Sequence, residues 1–190
     1  MKTMLKTVAL ATTLALGGTA AVAQTVPAAT IIIVDMDQVI NGSVAGKAAA
    51  AELKSKMDAI QARLASLRTQ FGTETQTLAK ARPAQTAGPA AITAWETKAR
   101  DLQSRQQTAE SDLATRDRDF QASRQYTIKQ LNDGANPIIS AIMRERGASI
   151  AMPEGATLQH SGSIDVTTDV IARLDKSLPR VSTAAPAQPK

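Results

Sequence analysis

The 190-residue chain contains no cysteine and a single histidine, which excludes disulfides, thiolate metal sites and histidine clusters as sources of stability or chemistry. Aromatic residues are nearly absent: one Trp, one Tyr and two Phe amount to 2% of the sequence. A large globular core is therefore not expected, whereas paired helices need little core per residue and a short apolar body can be completed by self-association. No constellation of nucleophile, base and orienting group occurs, so no catalytic, cofactor or metal residue is assigned and the chain is not read as an enzyme. Asp35 and Asp37 lie two apart with no third carboxylate beside them, and they read as strand termination and helix capping. His160 stands alone and reads as a strand-face or interface residue. Gly42-Ser-Val-Ala-Gly46-Lys47-Ala48 has three residues between its glycines and Ala after its lysine. A phosphate loop needs four residues there and Ser or Thr, so these glycines read as a turn into a helix.

What the chain does have is a heptad seam. Large apolar side chains recur at Leu53, Met57, Ile60, Leu64, Leu67, Phe71 and Leu78, in a 4-3-4-3-4 rhythm that misses only at Glu74. A second, weaker seam runs through Trp95, Ala99, Leu102, Ala109, Leu113 and Phe120, with Gln106 and Arg116 at two of its positions. Between them Ala81-Arg-Pro-Ala-Gln-Thr-Ala-Gly-Pro-Ala90 interrupts helices. Two long helices joined by a breaker are expected to fold back as an antiparallel coiled-coil hairpin.

The ends have a different character. Met1 to Lys6 is short and positive, Thr7 to about Gly18 is apolar and small, and Ala21-Val22-Ala23 is a cleavage signal, so residues 1–23 are expected to be a cleaved signal peptide that directs export to the periplasm. Ile31-Ile-Ile-Val34 reads as a buried strand over 31–35, within an N-terminal part of the body at 24–46. The arm is placed at 47–135, with its tip near 81–90. Asn132-Asp-Gly-Ala-Asn-Pro137 is expected to break or kink the second helix. The C-terminal part of the body is placed at 136–178, with strands near 148–152 and 156–160, a helix near 164–178 and Gly147 as a helix stop. Residues 179–190, rich in Pro, Ala, Ser and Thr, are expected to be a disordered tail.

The chain has 22 basic and 17 acidic residues, and the excess sits on the arm, where 14 cations from Lys47 to Lys129 face nine carboxylates. Export, scarce aromatics and interleaved acids argue against nucleic acid as a partner. A positive wall instead suits acidic segments of another protein or an anionic membrane surface, with salt-sensitive binding.

Three places in the chain resemble the Skp, or OmpH-like, family of periplasmic chaperones. Ile31 to Ile40 followed by Ser43-Val-Ala-Gly-Lys47 is similar to that family's opening strand and entry to its first arm helix. The hairpin is the second place. Ile150 to His160 with Ile164-Asp-Val-Thr-Thr-Asp-Val-Ile171 is similar to its closing strands and terminal helix. The resemblance implies an α+β fold in which a small β-strand body assembles as a homotrimer, with long antiparallel helical-hairpin arms enclosing a cavity for unfolded outer-membrane proteins. It also implies work without ATP or any cofactor.

The expected function is that of a holdase for unfolded outer-membrane β-barrel proteins before membrane insertion. The rival is a structural coiled-coil spacer or adaptor of the envelope with one folded partner. Seam positions face the partner helix, so client contact is assigned to the basic residues beside them: Arg63, Arg68, Lys98, Arg105 and Lys129. Ile31, Ile32, Ile33, Val34, Ile150, Met152, Leu158 and Ile164 are the expected body and oligomer core.

Overall fold

A computed structural model of the chain describes residues 29–186, so the expected signal segment lies outside the described residues. The fold is mostly helical, with long helices and one two-stranded sheet. Strand β1 (Ile31–Val34) leads into a short helix α1 (Met36–Gly42), then α2 (Val44–Lys80), a loop, α3 (Pro89–Arg146), strand β2 (Ile150–Pro153) and helix α4 (Thr167–Ser177). At 1.5 Å per residue, the 37 residues of α2 span about 55 Å and the 58 of α3 about 87 Å.

Strands β1 and β2 pair in parallel, Ile31 opposite Ile150 and Ile33 opposite Met152, so everything from residue 35 to 149 is one crossover connection. On its other edge β1 bonds the segment before α4: the Ile33 amide donates to the Ile164 carbonyl at 2.8 Å and the Val166 amide to the Ile33 carbonyl at 3.0 Å. A central strand needs apolar residues on both faces, which accounts for the unbroken β-branched run. Helices cover it. Ile32, Val34, Val39, Ala45, Leu131, Ala135, Ile142, Val166, Val170 and Leu174 form a single buried cluster drawn from every part of the body.

The junctions are built from short polar side chains. Asp35 caps α1 by accepting the Gln38 amide at 2.9 Å, and Ser43 caps α2 by accepting the Gly46 amide at 3.1 Å. Asp165 accepts the Thr167 amide at 2.8 Å, and the Thr167 hydroxyl accepts the Asp35 amide at 2.9 Å. The Asp-x-Thr before α4 therefore ties the end of β1 to the start of α4. Gly147, with φ of 63°, closes α3 in the left-handed conformation, and the Ala148 amide reaches back to the Met143 carbonyl at 2.8 Å.

Three expectations differ from the structure. Helix α3 does not break at 132–137; it runs through Pro137. A proline inside a helix costs about 3 kcal/mol. Burial of Leu131 and Ile142 on either side returns about 1.5–3 kcal/mol each, and both Pro137 and Asp133, whose carbonyl loses its donor, are exposed residues. Segment 156–160 is not a strand. Glu154–Ala156 forms a single 3-10 turn, and the Thr157 amide and hydroxyl both bond the Glu154 carbonyl, at 2.9 and 2.8 Å, which curls the chain away from any ladder. Leu158 is fully exposed as a result. Third, of the expected tail at 179–190, residues 187–190 lie outside the described residues, and 179–186 do not stand free but pack along α2 and α3, held by hydrogen bonds of Ser182 with Gln130 and of Thr183 with Glu52.

Candidate functional surface

Helices α2 and α3 touch through the seam positions. Leu67 and Leu102 are buried, and Leu53, Met57, Ile60, Leu64, Phe71, Leu78, Trp95, Ala99, Leu113 and Phe120 are half-buried, which leaves them little surface to offer elsewhere. The polar interruption at Glu74 is filled across the pair: Arg105 Nη2 lies 2.6 Å from Glu74 Oε2, while Arg105 Nε holds Asp101 at 2.9 Å. Hydrogen bonding to Arg105, then to Gln70, holds the Glu74 carboxyl below its ordinary range, and the same carboxylate raises Arg105. Beside this bridge is a shallow groove of about 300 Å³, floored by Leu78 and Leu102 and rimmed by Lys98, Asp101 and Arg105.

The tip is fastened by aromatic chemistry rather than by more seam. Trp95 Nε1 donates to the Leu78 carbonyl at 2.9 Å, and the Arg82 guanidinium stands 5.6 Å from the Trp95 ring centroid. Pro89 at the start of α3 follows a Gly88 cap that makes no side-chain bond.

Charge is uneven along the arm. Its outer part, residues 60–108, carries seven cations (Arg63, Arg68, Lys80, Arg82, Lys98, Arg100, Arg105) against three carboxylates (Glu74, Glu96, Asp101), a net of +4. The inner part pairs its charges locally, as in Lys54 with Asp58, Arg116 with Asp112 and Lys129 with Asp133. Of the five basic residues assigned to client contact, Arg63, Arg68 and Lys98 are exposed and form none of the ion pairs among the described residues. Arg105 is committed to Glu74 and Asp101, and Lys129 to Asp133 at 2.5 Å.

The body residues divide in the same way. Ile32, Ile33 and Val34 are buried within the single chain, whereas Ile31, Met152 and Ile164 are half-buried. Ile150, in β2, is 44% exposed, and Leu158, in the loop that follows β2, wholly so. His160 Nε2 lies 3.3 Å from Glu154 Oε1, and that carboxylate, followed by the Ser161 carbonyl, raises the imidazole above its ordinary value. Asp35 and Asp37 serve α1, one as cap and one in its first turn. Among the described residues no cluster of three or more His, Cys, Asp or Glu has metal-binding geometry, and no helix is long and apolar enough to cross a membrane.

The family model for outer membrane protein (OmpH-like) matches residues 30–174, a span that takes in β1, both long helices, β2 and most of α4. The chain belongs to the OmpH-like family. A crystal structure from Caulobacter crescentus CB15, provisionally assigned as an outer membrane chaperone (OmpH-like), superposes with a TM-score of 0.71 at 21% identity, covering 84% of this chain and 92% of that one. At that identity the likeness speaks for the fold. No curated protein matches the chain. The OmpH-like match stops at residue 174, so the Leu178 to Ala184 segment and its contacts lie beyond it. No sequence signal marks that segment: Val181, Thr183 and Ala185 are the covered positions and Arg180, Ser182 and Ala184 the exposed ones, yet Ser and Thr, and the two alanines, are alike in character.

Proposed function

We propose that this OmpH-like protein is a periplasmic holdase, acting without ATP, that binds unfolded outer-membrane β-barrel proteins between helical arms until they insert. The family match over both the body and both long helices carries the reading. In it, α2 and α3 are the limbs of an antiparallel coiled-coil hairpin. Support comes from Glu74 meeting Arg105, Leu78 meeting Trp95, and Lys56 and Ile60 sharing a groove with Arg116 and Phe120. Residues 1–23 act as the export signal. The body assembles as a homotrimer, for which the exposed Ile150 and Leu158 offer apolar surface and β2, paired only with β1 among the described residues, offers an edge.

Client contact falls on the outer arm. The seam is occupied by the partner helix, Arg105 and Lys129 by carboxylates, and the remaining cations, Arg63, Arg68 and Lys98, supply a positive field without a fixed partner. Many weak contacts repeated over several arms give affinity without a specific lock. Such binding weakens as salt screens it, with a Debye length of about 8 Å at physiological ionic strength.

The test mixes the chain from Gln24 with a urea-diluted outer-membrane barrel protein at low and high salt, recording light scattering and complex mass. Suppressed aggregation and a complex of trimer mass are expected, weaker at high salt. Absence of suppression at any excess would refute the holdase. A fixed stoichiometry with one folded partner, and no effect on unfolded barrels, would favour the spacer or adaptor instead.

A further inference from the structure

The inner end of the α2–α3 pair is polar where a coiled coil is ordinarily apolar. Ser123 and Thr127 stand on the buried side of α3, 7% and 3% exposed, and neither can fill the space a leucine would occupy. The C-terminal segment lies over this thin place. Leu178 enters beside Gly134, where a Cβ would stand only 2.8 Å from Leu178 Cδ2. Val181 then packs against the body core, and Thr183 is 7% exposed.

Two adjacent residues then bond the two helices. Ser182 belongs to α3: its amide donates to Gln130 Oε1 at 3.0 Å and its carbonyl accepts from Gln130 Nε2 at 2.8 Å, with the Thr127 hydroxyl, which donates to the Ser123 carbonyl at 2.9 Å, standing 3.3 Å from the same oxygen. Thr183 belongs to α2: its hydroxyl donates to Glu52 Oε2 at 2.7 Å and its carbonyl accepts from Lys56 Nζ at 2.5 Å. Gln130 pairs with Ser182 as a neighbouring strand would, with both amide atoms used. Each of these bonds to Ser182 or Thr183 joins residues more than 50 apart in sequence, so none is a by-product of local helix geometry.

We infer that residues 178–184 are a clasp that locks the inner ends of α2 and α3 together, so that the C-terminal segment sets how freely the two helices part or slide at their root. The seam holds the outer arm by apolar contact, and the Glu74–Arg105 bridge holds its middle. At the root α3 has only Ser123 and Thr127 to set against Leu53 and Met57 of α2, and the clasp supplies the missing layer. The role does not depend on what the arm binds.

Hydrogen exchange on the full chain and three variants tests this. One chain ends at Leu178, one ends at Pro186 and keeps the clasp, and the third carries Thr183→Val, which removes a hydroxyl while keeping bulk. Loss of one net hydrogen bond raises opening roughly fivefold, so residues 52–57 and 123–131 should exchange about fivefold faster in Thr183→Val and more than tenfold faster in the chain ending at Leu178. The chain ending at Pro186 should match the full chain, and β1 should keep its protection in all. Unchanged rates at 52–57 and 123–131 after removal of residues 179–190 would overturn the inference, as would equal acceleration of β1. Should the shortest chain fail to fold, Thr183→Val decides alone, and no acceleration there overturns it.

Discussion

Gly46→Ala is a one-carbon change that the body cannot absorb. A Cβ at this position would stand 1.6 Å from the Ile40 carbonyl oxygen, 2.8 Å from its carbon and 2.9 Å from Ser43 Oγ, where favourable carbon contacts begin at about 3.5 Å. The obstructing atoms are backbone, so no side-chain rotation relieves them. The α1–α2 junction has to open by about 2 Å. That movement pulls the Gly46 amide away from its Ser43 cap, a loss of about 1 kcal/mol. It also draws the Val44 amide from Asp175 Oδ1, now at 2.7 Å, and a hydrogen bond to a charged acceptor is worth about 1.5–3 kcal/mol. Val39 and Ala45, both fully buried, flank the junction and lose packing with it. The total comes to about 3–5 kcal/mol, a large part of the about 5–15 kcal/mol that holds a domain together. Urea unfolding followed by circular dichroism at fixed chain concentration measures it. Gly72→Ala is the matched control, since nothing lies within 4 Å of its Cβ and the site is inside α2; it should gain about 0.5–1 kcal/mol of local helix stability. A Gly46→Ala midpoint within about 1 kcal/mol of the parent would refute the reasoning, because the junction would then be softer than a backbone contact of this kind allows.

Thr167→Val, at a residue 2% exposed, strips the acceptor from the Asp35 amide and should cost about 1–3 kcal/mol by the same urea assay; a neutral result would mean the amide finds water or another acceptor. The Glu74 carboxyl is depressed by Arg105, so its contribution is complete above the ordinary carboxylate range and is lost as pH falls through the depressed value. Protection of residues 70–78 and 101–106, corrected for intrinsic exchange, should therefore fall in acid, and Glu74→Gln should already show the acid level at neutral pH. His160 is raised by Glu154, so the bond it contributes to the 154–163 loop is complete below the ordinary imidazole range and fades as pH rises through the raised value; proton NMR of the lone imidazole reads this, and a value at or below the ordinary one refutes it. Trp95→Phe loses the donor to Leu78 and should speed tryptic cleavage after Lys80 several-fold, with no change in the body's urea midpoint.

How much of this was legible depended on which force fixed each part. The seam from Leu53 to Leu78 and the breaker at 81–90 are local periodicity and turn chemistry, and α2 ends at Lys80 with α3 starting at Pro89. The start of α2 after Ser43 and the stop at Gly147 are likewise caps with near neighbours only. Pro137 was different. Its cost is local, but the packing of Leu131, Ala135 and Ile142 that outweighs it comes from β1 and α4, which the window around the proline does not contain. The segment Ala156 to His160, set between turn signals at 153–155 and Gly162, suggested a strand, yet β1 has two edges and both are taken, one by β2 and one by Ile164 to Val166. Gln130 and Thr183 carry no signal in their own neighbourhoods for the same reason: their partners are 52 to 131 residues away. Among the basic residues, charge alone did not separate Arg63, Arg68 and Lys98 from Arg105, whose Glu74 partner lies on the other helix.

In the proposed hairpin, the parallel pairing of β1 with β2 makes α2 and α3 unequal by construction. A chain that leaves β1 along α2 must bring its other end back beside β1 pointing the same way, and as the return limb of that hairpin α3 has to cover the outward distance of α2 and then cross the body as well. Hence 58 residues answer 37, and the surplus, from about Thr127 onward, is where Leu131, Ala135 and Ile142 enter the core. One continuous helix thus belongs to arm and body at once, while α2 meets the body through its first turns, at the Ser43 junction, at Ala45 in the core and where the Val44 amide meets Asp175. Any swing of the arm relative to the body must be taken up by bending α3, which the missing hydrogen bond at Pro137 eases, or by sliding α2 against it. The contacts of Ser182 with α3 and Thr183 with α2 oppose the second motion and not the first. If the arm moves as a unit, the compliant point is therefore Gly134 to Pro137, on the body side of the C-terminal segment.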